Sequence, residues 1–407
     1  MTQRAKWTLV LLLICGLMAA GPMAGADKTG AGKAGKEFDK TMAEFRALYK
    51  EALAKDKMVG SSFRFIRGDE VLAGELYGLA NVEENRKMDE NSLFHWASIT
   101  KTLTGIAIMQ LRDRGLLSLD DPIIKYIPEL REVHNPYGDM GEITIRHLLT
   151  HTSGFRGGTW PWKDKPWQPH EPLHFSQLVA MFPYTEIEFK PGTRWSYSNP
   201  GIVFLGRVIE LLTTDDWEVY INKNIFMPLG MTRSYFDHTP YHLWKDKTRS
   251  YTVGKDGSPV PADPDVNTGI TVSNGGLSCP VGDFVKYVQF LLGDAKKQAA
   301  YDGVLKRASL EEMWRPAITL PAEPGSDTKS MMGLTFFIQE RGGVRLIWHS
   351  GGQNAYASYF FIHPESRTGY VVAYNSVPEV RGPRGESVFA RVNDFVQARL
   401  MPLFFGK

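Results

Sequence analysis

The chain is poor in cysteine and carries almost no net charge. Its 407 residues include two cysteines, Cys15 and Cys279, and the formal net charge is +2 at pH 7. No C-x-x-C pair or Cys/His cluster at ligand spacing occurs, so we expect no metal and no other cofactor. A charge near zero gives no electrostatic reason to bind nucleic acid or an anionic membrane surface. The G-x-S-x-G sequence is also absent, which disfavours an α/β-hydrolase nucleophile elbow.

Long hydrophobic runs are missing except at the N-terminus. An apolar run covers residues 8–20, after Arg4 and Lys6, and Ala24-Gly25-Ala26 offers an A-x-A cleavage site. The run is too short and wrongly flanked for a spanning helix, and its order of charged, apolar and small residues is typical of a secretory signal. We therefore predict that residues 1–26 are a cleavable signal peptide. The mature protein would be periplasmic or secreted, with no stable membrane span.

The predicted mature chain begins with a flexible segment, residues 27–36, which holds three glycines and three lysines. Cleavage would leave 45 basic and 45 acidic residues and a single cysteine, Cys279, so no intramolecular disulfide could form. Cys15 invites a lipoprotein interpretation, but Ile14 is bulky where a small residue is expected. An exported protein without disulfides has to be stabilised by its core, and a chain of this length can bury a large one.

Strand patterns lie at both ends of the chain, and helical patterns lie between them. Apolar residues recur at helical spacing from about residue 37 to 54, and strand-like runs follow at 61–66 and 70–79. The last quarter contains a helical pattern at about 385–400, preceded by four β-rich runs at 333–339, 345–349, 355–362 and 369–375. We predict an α+β fold in which both chain ends build one antiparallel sheet, flanked by N- and C-terminal helices.

The predicted catalytic domain covers residues 37–400 in two lobes. An α/β lobe takes about 37–95 and 293–400, and a mostly helical lobe, about 96–292, is inserted into it. A cleft between the lobes is the expected site. The segment 159–172 has three tryptophans and four prolines. It is either a wall that faces the substrate or a surface loop that packs on itself, and the sequence leaves both open.

Ser98 and Lys101 form an S-x-x-K sequence at the start of a nearly all-apolar helical run. Residues three apart share a helix face, so these side chains can meet. A serine hydroxyl needs a nearby base to act as a nucleophile, and a lysine can be that base when desolvation favours its neutral form. The spacing alone is a weak signal, because serine and lysine are common and a second S-x-x-K lies in a loop at 326–329.

Two further short sequences follow in chain order, Tyr197-Ser198-Asn199 and His349-Ser350-Gly351-Gly352. Each of the two patterns has a second match elsewhere in the chain, in a place that is less suitable for a catalytic motif. Tyr220-Ile221-Asn222 lies inside an amphipathic helical pattern, where packing explains it. Lys28-Thr29-Gly30 precedes the nucleophile and falls in the predicted flexible segment.

The order S-x-x-K, Y-x-N and H-x-G resembles the serine β-lactamase and penicillin-binding-protein superfamily. The likeness is to its class C-like branch, which includes D-alanyl-D-alanine carboxypeptidases, D-aminopeptidases and family VIII esterases. Residues 148–154, 228–231 and 275–277 also look like landmarks of that branch. The resemblance covers about residues 37–400 and implies a β-lactamase-like fold.

The resemblance implies a role for each motif residue. Ser98 would form the acyl-enzyme, and Lys101 with Tyr197 would accept and pass on its proton, without deciding which of the two is the base. Asn199 would position Lys101 and a substrate amide, although an asparagine here could instead cap the following helix. The backbone N–H groups of Ser98 and Gly352 would form the oxyanion hole. The third motif, His349-Ser350-Gly351, would complete the substrate-binding side.

His349 stands where many relatives have lysine. A lysine carries a permanent charge that can hold a substrate carboxylate, whereas a histidine is largely neutral at pH 7. We therefore expect an exported serine hydrolase acting on an amide or ester, namely a peptidase of the D-amino-acid type or an esterase. A class C-type β-lactamase and a non-catalytic protein that binds peptidoglycan or a partner are the alternatives. The sequence leaves the oligomeric state open.

Overall fold

The computed structural model describes residues 28–158, 172–262, 268–322, 325–380 and 386–406, with the backbone alone for residues 28–34. The predicted signal peptide, residues 1–26, lies outside the described residues. So does nearly all of the aromatic loop, residues 159–171, so its two interpretations stay open.

Two chain ends build one large antiparallel sheet. The described strands are β1 (Gly60–Arg67), β2 (Glu70–Asn81), β3 (Arg86–Lys87), β4 (Leu93–His95), β5 (Tyr235–Phe236), β6 (Tyr251–Val253), β7 (Pro259–Pro261), β8 (Leu277–Pro280), β9 (Ile318–Thr319), β10 (Lys329–Met332), β11 (Phe337–Arg341), β12 (Val344–Gln353), β13 (Tyr356–His363), β14 (Thr368–Tyr374) and β15 (Ser376–Pro378). The large sheet has the order β3-β2-β1-β14-β13-β12-β11-β10-β9, and β1 pairs with β14 antiparallel. The N-terminal and C-terminal parts of the chain are therefore joined in the middle of one open sheet, where β1 pairs with β14.

Helices lie before, between and after these strands. The described α-helices are α1 (Lys28–Lys55), α2 (Thr100–Asp113), α3 (Ile145–Leu149), α4 (Phe175–Val179), α5 (Asn199–Thr213), α6 (Trp217–Ile221), α7 (Met227–Leu229), α8 (Val272–Gly275), α9 (Val281–Leu292), α10 (Gln298–Val304), α11 (Arg307–Met313) and α12 (Val388–Phe395). The described residues include no helix that is both long and apolar enough to cross a membrane. The predicted α+β class, with an antiparallel sheet flanked by terminal helices, is confirmed.

Neighbouring residues of the central strands pack on two different layers. On β14, Val371 belongs to the core shared with α2 and α9, whereas Val372 belongs to the core shared with α1 and α12. This follows from the period of two along a strand. Because both faces are covered, every residue of β14 is buried. The sheet is thus a rigid support between the terminal helices and the layer that carries the site.

Two sequence-based boundaries differ from the structure. The run predicted as one strand at 333–339 contains a turn, in which the Gly333 N–H donates to the Phe336 carbonyl and Thr335 has φ +61°. The strand therefore begins only at Phe337. Helix α1 includes residues 28–36, where we predicted a flexible segment. Its alanines and lysines favour helix, and extending an existing helix is easier than starting one.

A small three-stranded sheet, in the order β4-β8-β5, fixes the entry to α2. Phe94 pairs with Cys279 and His95 with Ser278, so β4 is held against β8 just before the chain turns into the helix. The element before β8 is α8. This sheet therefore brings the start of α2 and the end of α8 together, although they are far apart in the sequence. The division into lobes at residues 95 and 292 stays a prediction.

Candidate active site

Ser98 lies in a strained turn at the start of α2. A 3-10 turn, Ala97–Ile99, leads directly into the helix, and Ala97 has φ +47°, a conformation that residues other than glycine seldom adopt. The turn is anchored by Trp96, whose backbone N–H donates to the Leu277 carbonyl at 2.8 Å. The Trp96 indole also donates to the Cys279 carbonyl at 3.0 Å. Such strain persists where the surrounding structure enforces it, as at many functional sites.

Lys101 lies on the first turn of α2 and reaches Ser98. Its Nζ is 3.1 Å from the Ser98 Oγ and 2.9 Å from the Asn274 carbonyl oxygen. The lysine is completely buried, whereas Ser98 is partly exposed. The predicted contact between the two side chains is therefore present. A buried amine with its nitrogen beside a hydroxyl is placed to take that hydroxyl's proton when it is in its neutral form.

Asn274, at the end of α8, was not among the residues predicted from sequence. Its carbonyl accepts from Lys101, and its Nδ2 donates to the Asn199 carbonyl at 3.4 Å. Two bonds fix its neighbours to α2: the Thr104 hydroxyl donates to the Ser273 carbonyl, and the Leu277 N–H donates to the Thr100 hydroxyl. The sequence offers no signal for this role beyond a turn-forming run, because any residue has a carbonyl.

Tyr197 joins the pair from the segment before α5. The Lys101 Nζ lies 4.9 Å from the centre of its ring, and its phenol is near enough to Ser98 for the serine to lower the pKa of the phenol. Burial raises the pKa of the Tyr197 phenol well above its usual value, and this effect outweighs the lowering by the nearby Ser98. The phenol is therefore protonated in the resting site. It can accept the serine proton only if it passes its own proton on.

Asn199 is the first residue of α5, but it does not cap the helix. The cap is Ser198, whose Oγ accepts from the Gly201 N–H at 3.3 Å. The Asn199 backbone is held from both sides, because its N–H donates to Gly157 and its carbonyl accepts from Asn274. The structure thus gives the capping role to its neighbour and places Asn199 next to the residue that binds Lys101.

Strand β12 brings the third motif against the turn of Ser98. A Cβ atom on Gly351 would lie 2.0 Å from the Trp96 carbonyl oxygen, so only glycine permits this approach. At Gly352 the nearest atom to a Cβ would be 4.0 Å away. Ser350, Gly351 and Gly352 also line a cavity of about 330 Å³ with Phe389 of α12.

His349 is buried on β12, with 1% of its surface exposed. Its Nδ1 lies 2.6 Å from the Ser350 carbonyl oxygen, so this nitrogen carries the proton. Burial, and then the charge of Lys101, lower the pKa of His349 to about 3. The imidazole is therefore neutral at pH 7, as expected for a histidine at this position.

The competing sequences are placed elsewhere. Tyr220 of α6 is buried in the core, and its hydroxyl accepts from Arg114 at 3.2 Å. This confirms that the second Y-x-N sequence has a packing role. Lys28-Thr29-Gly30 forms the beginning of α1. Among the described residues, no cluster of three or more His, Cys, Asp or Glu is arranged to hold a metal ion.

A partly exposed serine, a buried lysine beside it and a protonated tyrosine next to both lie together on a β-lactamase-like fold. The chain belongs to the Beta-lactamase family, whose family model matches residues 45–391. Solved structures of class C β-lactamases share its fold. The predicted membership in the superfamily of serine β-lactamases and penicillin-binding proteins is therefore confirmed.

Relatives and solved structures agree with this placement. Protein flp of Staphylococcus aureus (strain COL) is 25% identical over 323 residues, which are 79% of this chain and 61% of that protein. Penicillin-binding protein 4* of Bacillus subtilis (strain 168) is 31% identical over 189 residues, 45% of this chain and 39% of that protein. The structure of the octameric penicillin-binding protein homologue from Pyrococcus abyssi has a TM-score of 0.72 at 27% identity, covering 88% of this chain and 78% of that one. The chain thus matches less than two thirds of the length of these two sequence relatives.

Proposed function

We propose that this protein is an exported serine hydrolase that cleaves an amide or ester through an acyl-enzyme on Ser98. The observation that carries the proposal is the 3.1 Å separation between the Ser98 Oγ and the Lys101 Nζ. The ring of Tyr197 lies beside both, because its centre is 4.9 Å from that Nζ and Ser98 lowers the pKa of its phenol. A lysine and a tyrosine beside the same serine hydroxyl can together accept its proton and pass it on.

The reaction has two halves. The Ser98 Oγ attacks the carbonyl carbon while its proton passes to the Lys101 and Tyr197 pair, and the resulting oxyanion accepts hydrogen bonds from the backbone N–H groups of Ser98 and Gly352. The tetrahedral intermediate then collapses, the bond to the leaving group breaks, and the same pair returns the proton to the leaving amine or alcohol. In the second half a water oxygen attacks the acyl carbon while its proton passes to the same pair. The bond between that carbon and the Ser98 Oγ then breaks, the pair returns the proton to the serine, and the carboxylic acid is released.

The state of His349 supports a peptidase of the D-amino-acid type or an esterase. A neutral imidazole provides no permanent charge for a carboxylate, which a β-lactam substrate would present. Similarity over 189 residues to a protein named for binding penicillin, a β-lactam amide, supports an amide-type acyl donor without separating a peptide from a β-lactam. The neutral histidine alone favours hydrolysis of a peptide or ester over an antibiotic-degrading role.

A substrate panel tests this assignment. Purified protein would be assayed on D-amino-acid peptides, their L-isomers, short-chain p-nitrophenyl esters and a cephalosporin, beside the Ser98→Ala variant. We expect turnover of a D-peptide or an ester that Ser98→Ala abolishes. Efficient turnover of the cephalosporin alone would contradict the proposed substrate class and support a class C-type β-lactamase.

Export is a separate part of the proposal. It is supported by the charged, apolar and small-residue order of residues 1–26. N-terminal sequencing of protein secreted from a bacterial host should give a chain that begins at Asp27. A chain that stays in the cytoplasm with its N-terminus intact would contradict export without affecting the assignment of Ser98.

A further inference from the structure

His151 follows α3 and belongs to a sequence landmark, residues 148–154, to which the proposed reaction assigns no role. The residue is completely buried and has φ +55°, in the left-handed region that few residues other than glycine and asparagine adopt. A large side chain held in that conformation indicates that its surroundings enforce it.

His151 contacts the tyrosine segment at three points. Its backbone carbonyl accepts from the Ser196 N–H at 2.9 Å, and its Nδ1 accepts from the Ser198 N–H at 3.2 Å. Its ring packs on the ring of Tyr197, with the two centres 4.5 Å apart. The histidine therefore binds the residue on each side of Tyr197 and covers the face of the tyrosine between them.

These contacts also fix the tautomer of the imidazole. An Nδ1 that accepts from a backbone N–H has no proton, so the neutral ring carries its proton on Nε2. Burial and the positive charge of Lys101 lower the pKa of His151 well below its usual value, which keeps the ring neutral. His349 has the opposite tautomer, because its Nδ1 faces the Ser350 carbonyl.

The Nε2 atoms of His151 and His349 have opposite hydrogen-bonding roles. That of His151 is a donor, that of His349 is an acceptor, and neither has a hydrogen-bond partner among the described residues. The two rings are close enough for the charge on one to disfavour protonation of the other. Burial and the charge of Lys101 therefore favour the neutral form of both rings.

We propose that His151 is a positioning residue that holds the phenol of Tyr197 against Ser98, through its bonds to Ser196 and Ser198, in the Nε2–H tautomer. The expected effect of His151 on the acylation rate rests on the proposed acylation of Ser98. The tautomer of His151 can be measured without it. The chain offers a matched control in His147 of α3. The Nδ1 of His147 also accepts from a backbone N–H, that of Thr144 at 3.2 Å, but this bond caps α3.

Three variants separate a positioning role from a purely structural one. His151→Asn keeps an acceptor at about the place of Nδ1 and tolerates a positive φ, whereas His151→Leu offers neither. We expect His151→Leu to slow acylation by a fluorophosphonate by about 10²-fold, the scale of a misplaced catalytic group. His151→Asn should remain within a few fold of the native protein. His147→Leu should lower the melting temperature without slowing acylation.

The tautomer is read directly from ¹⁵N-histidine NMR spectra, with the His151 signals assigned by their loss in His151→Asn. We expect an Nε2–H tautomer for His151 that persists at pH 6. An Nδ1–H tautomer, or equal slowing in folded Asn and Leu variants, or no slowing in either, would overturn the proposal. If the native protein does not react at all, the proposed function fails. The NMR measurement of the tautomer then remains as the test of the hydrogen bonds that His151 makes.

Discussion

The Nζ of Lys101 lies 3.1 Å from the Oγ of Ser98, and the lysine has no exposed surface. The relationship depends on the junction between a 3-10 turn and α2, which puts two residues three positions apart on one face. The second contact of the amine, with the Asn274 carbonyl, fixes where the nitrogen stands. A long flexible side chain is thereby held in one geometry before a substrate arrives.

Replacement of Lys101 by methionine keeps an unbranched apolar side chain as far as Cε and removes the nitrogen. We expect the rate of acylation to fall by about 10²- to 10⁴-fold, the usual contribution of a positioned acid or base. Stopped-flow measurement with a fluorophosphonate checks this. Lys125→Met is the control, because that lysine is about half exposed and pairs with Asp121 on the surface. An unchanged rate in folded Lys101→Met would contradict the role of the lysine.

The two glycines of the third motif should differ sharply. A methyl group at Gly351 would meet the Trp96 carbonyl oxygen at 2.0 Å, so Gly351→Ala has to push β12 away from the turn of Ser98. We expect a loss of about 10²-fold in acylation rate, as for other misplacements of reacting groups, and a lower melting temperature.

Gly352→Ala is the matched comparison. It keeps the backbone N–H and places its methyl group 4.0 Å from the nearest atom, so it should lose far less activity and stability. Rates and melting curves of both variants test this. Equal losses in the two variants would mean that the close approach of β12 to Trp96 does not shape the site.

Acid should destabilise the folded protein partly through His349. Its pKa is about 3 in the folded state, against an ordinary value near 6.5, so below pH 6.5 the unfolded chain binds the extra proton first. The contribution of the neutral histidine is fully present above pH 6.5 and is lost as the pH falls towards 3. Urea unfolding at pH 7, 5.5 and 4.5 should show a smaller loss of unfolding free energy in His349→Gln than in the native protein. Equal losses would contradict the depressed pKa.

His349→Lys should change substrate preference. A lysine at this place adds a cation that a substrate carboxylate can bind, and it also adds repulsion towards Lys101. We expect the ratio of kcat/KM for a cephalosporin to that for a neutral ester to rise, with a lower melting temperature. His349→Gln, which adds no charge, is the control. A ratio that rises equally in both variants would show that charge is not what limits carboxylate substrates.

The sequence predicted the parts of the site whose chemistry lies in side chains at fixed spacing. Ser98 and Lys101 were predicted from their helical spacing. Tyr197 and His349 were predicted from the order of the three motifs along the chain. Asn274 could not be predicted, because its bond to Lys101 comes from a backbone carbonyl that every residue has.

Other contacts also depend on tertiary structure alone. The sequence gives no sign that Gly351, and not Gly352, faces the Trp96 carbonyl, since that difference comes from how β12 meets the turn of Ser98. The antiparallel sheet was predictable from strand patterns at both chain ends. The turn at Gly333 was missed because a glycine among apolar residues fits a strand pattern as well as a turn.

Acylation of Ser98 is tested most directly by intact-mass analysis after incubation with a fluorophosphonate or a penicillin. We predict one adduct per chain, located on Ser98 by peptide mapping and absent from folded Ser98→Ala. The absence of any adduct on the folded native protein, or an adduct that persists in Ser98→Ala, would contradict it.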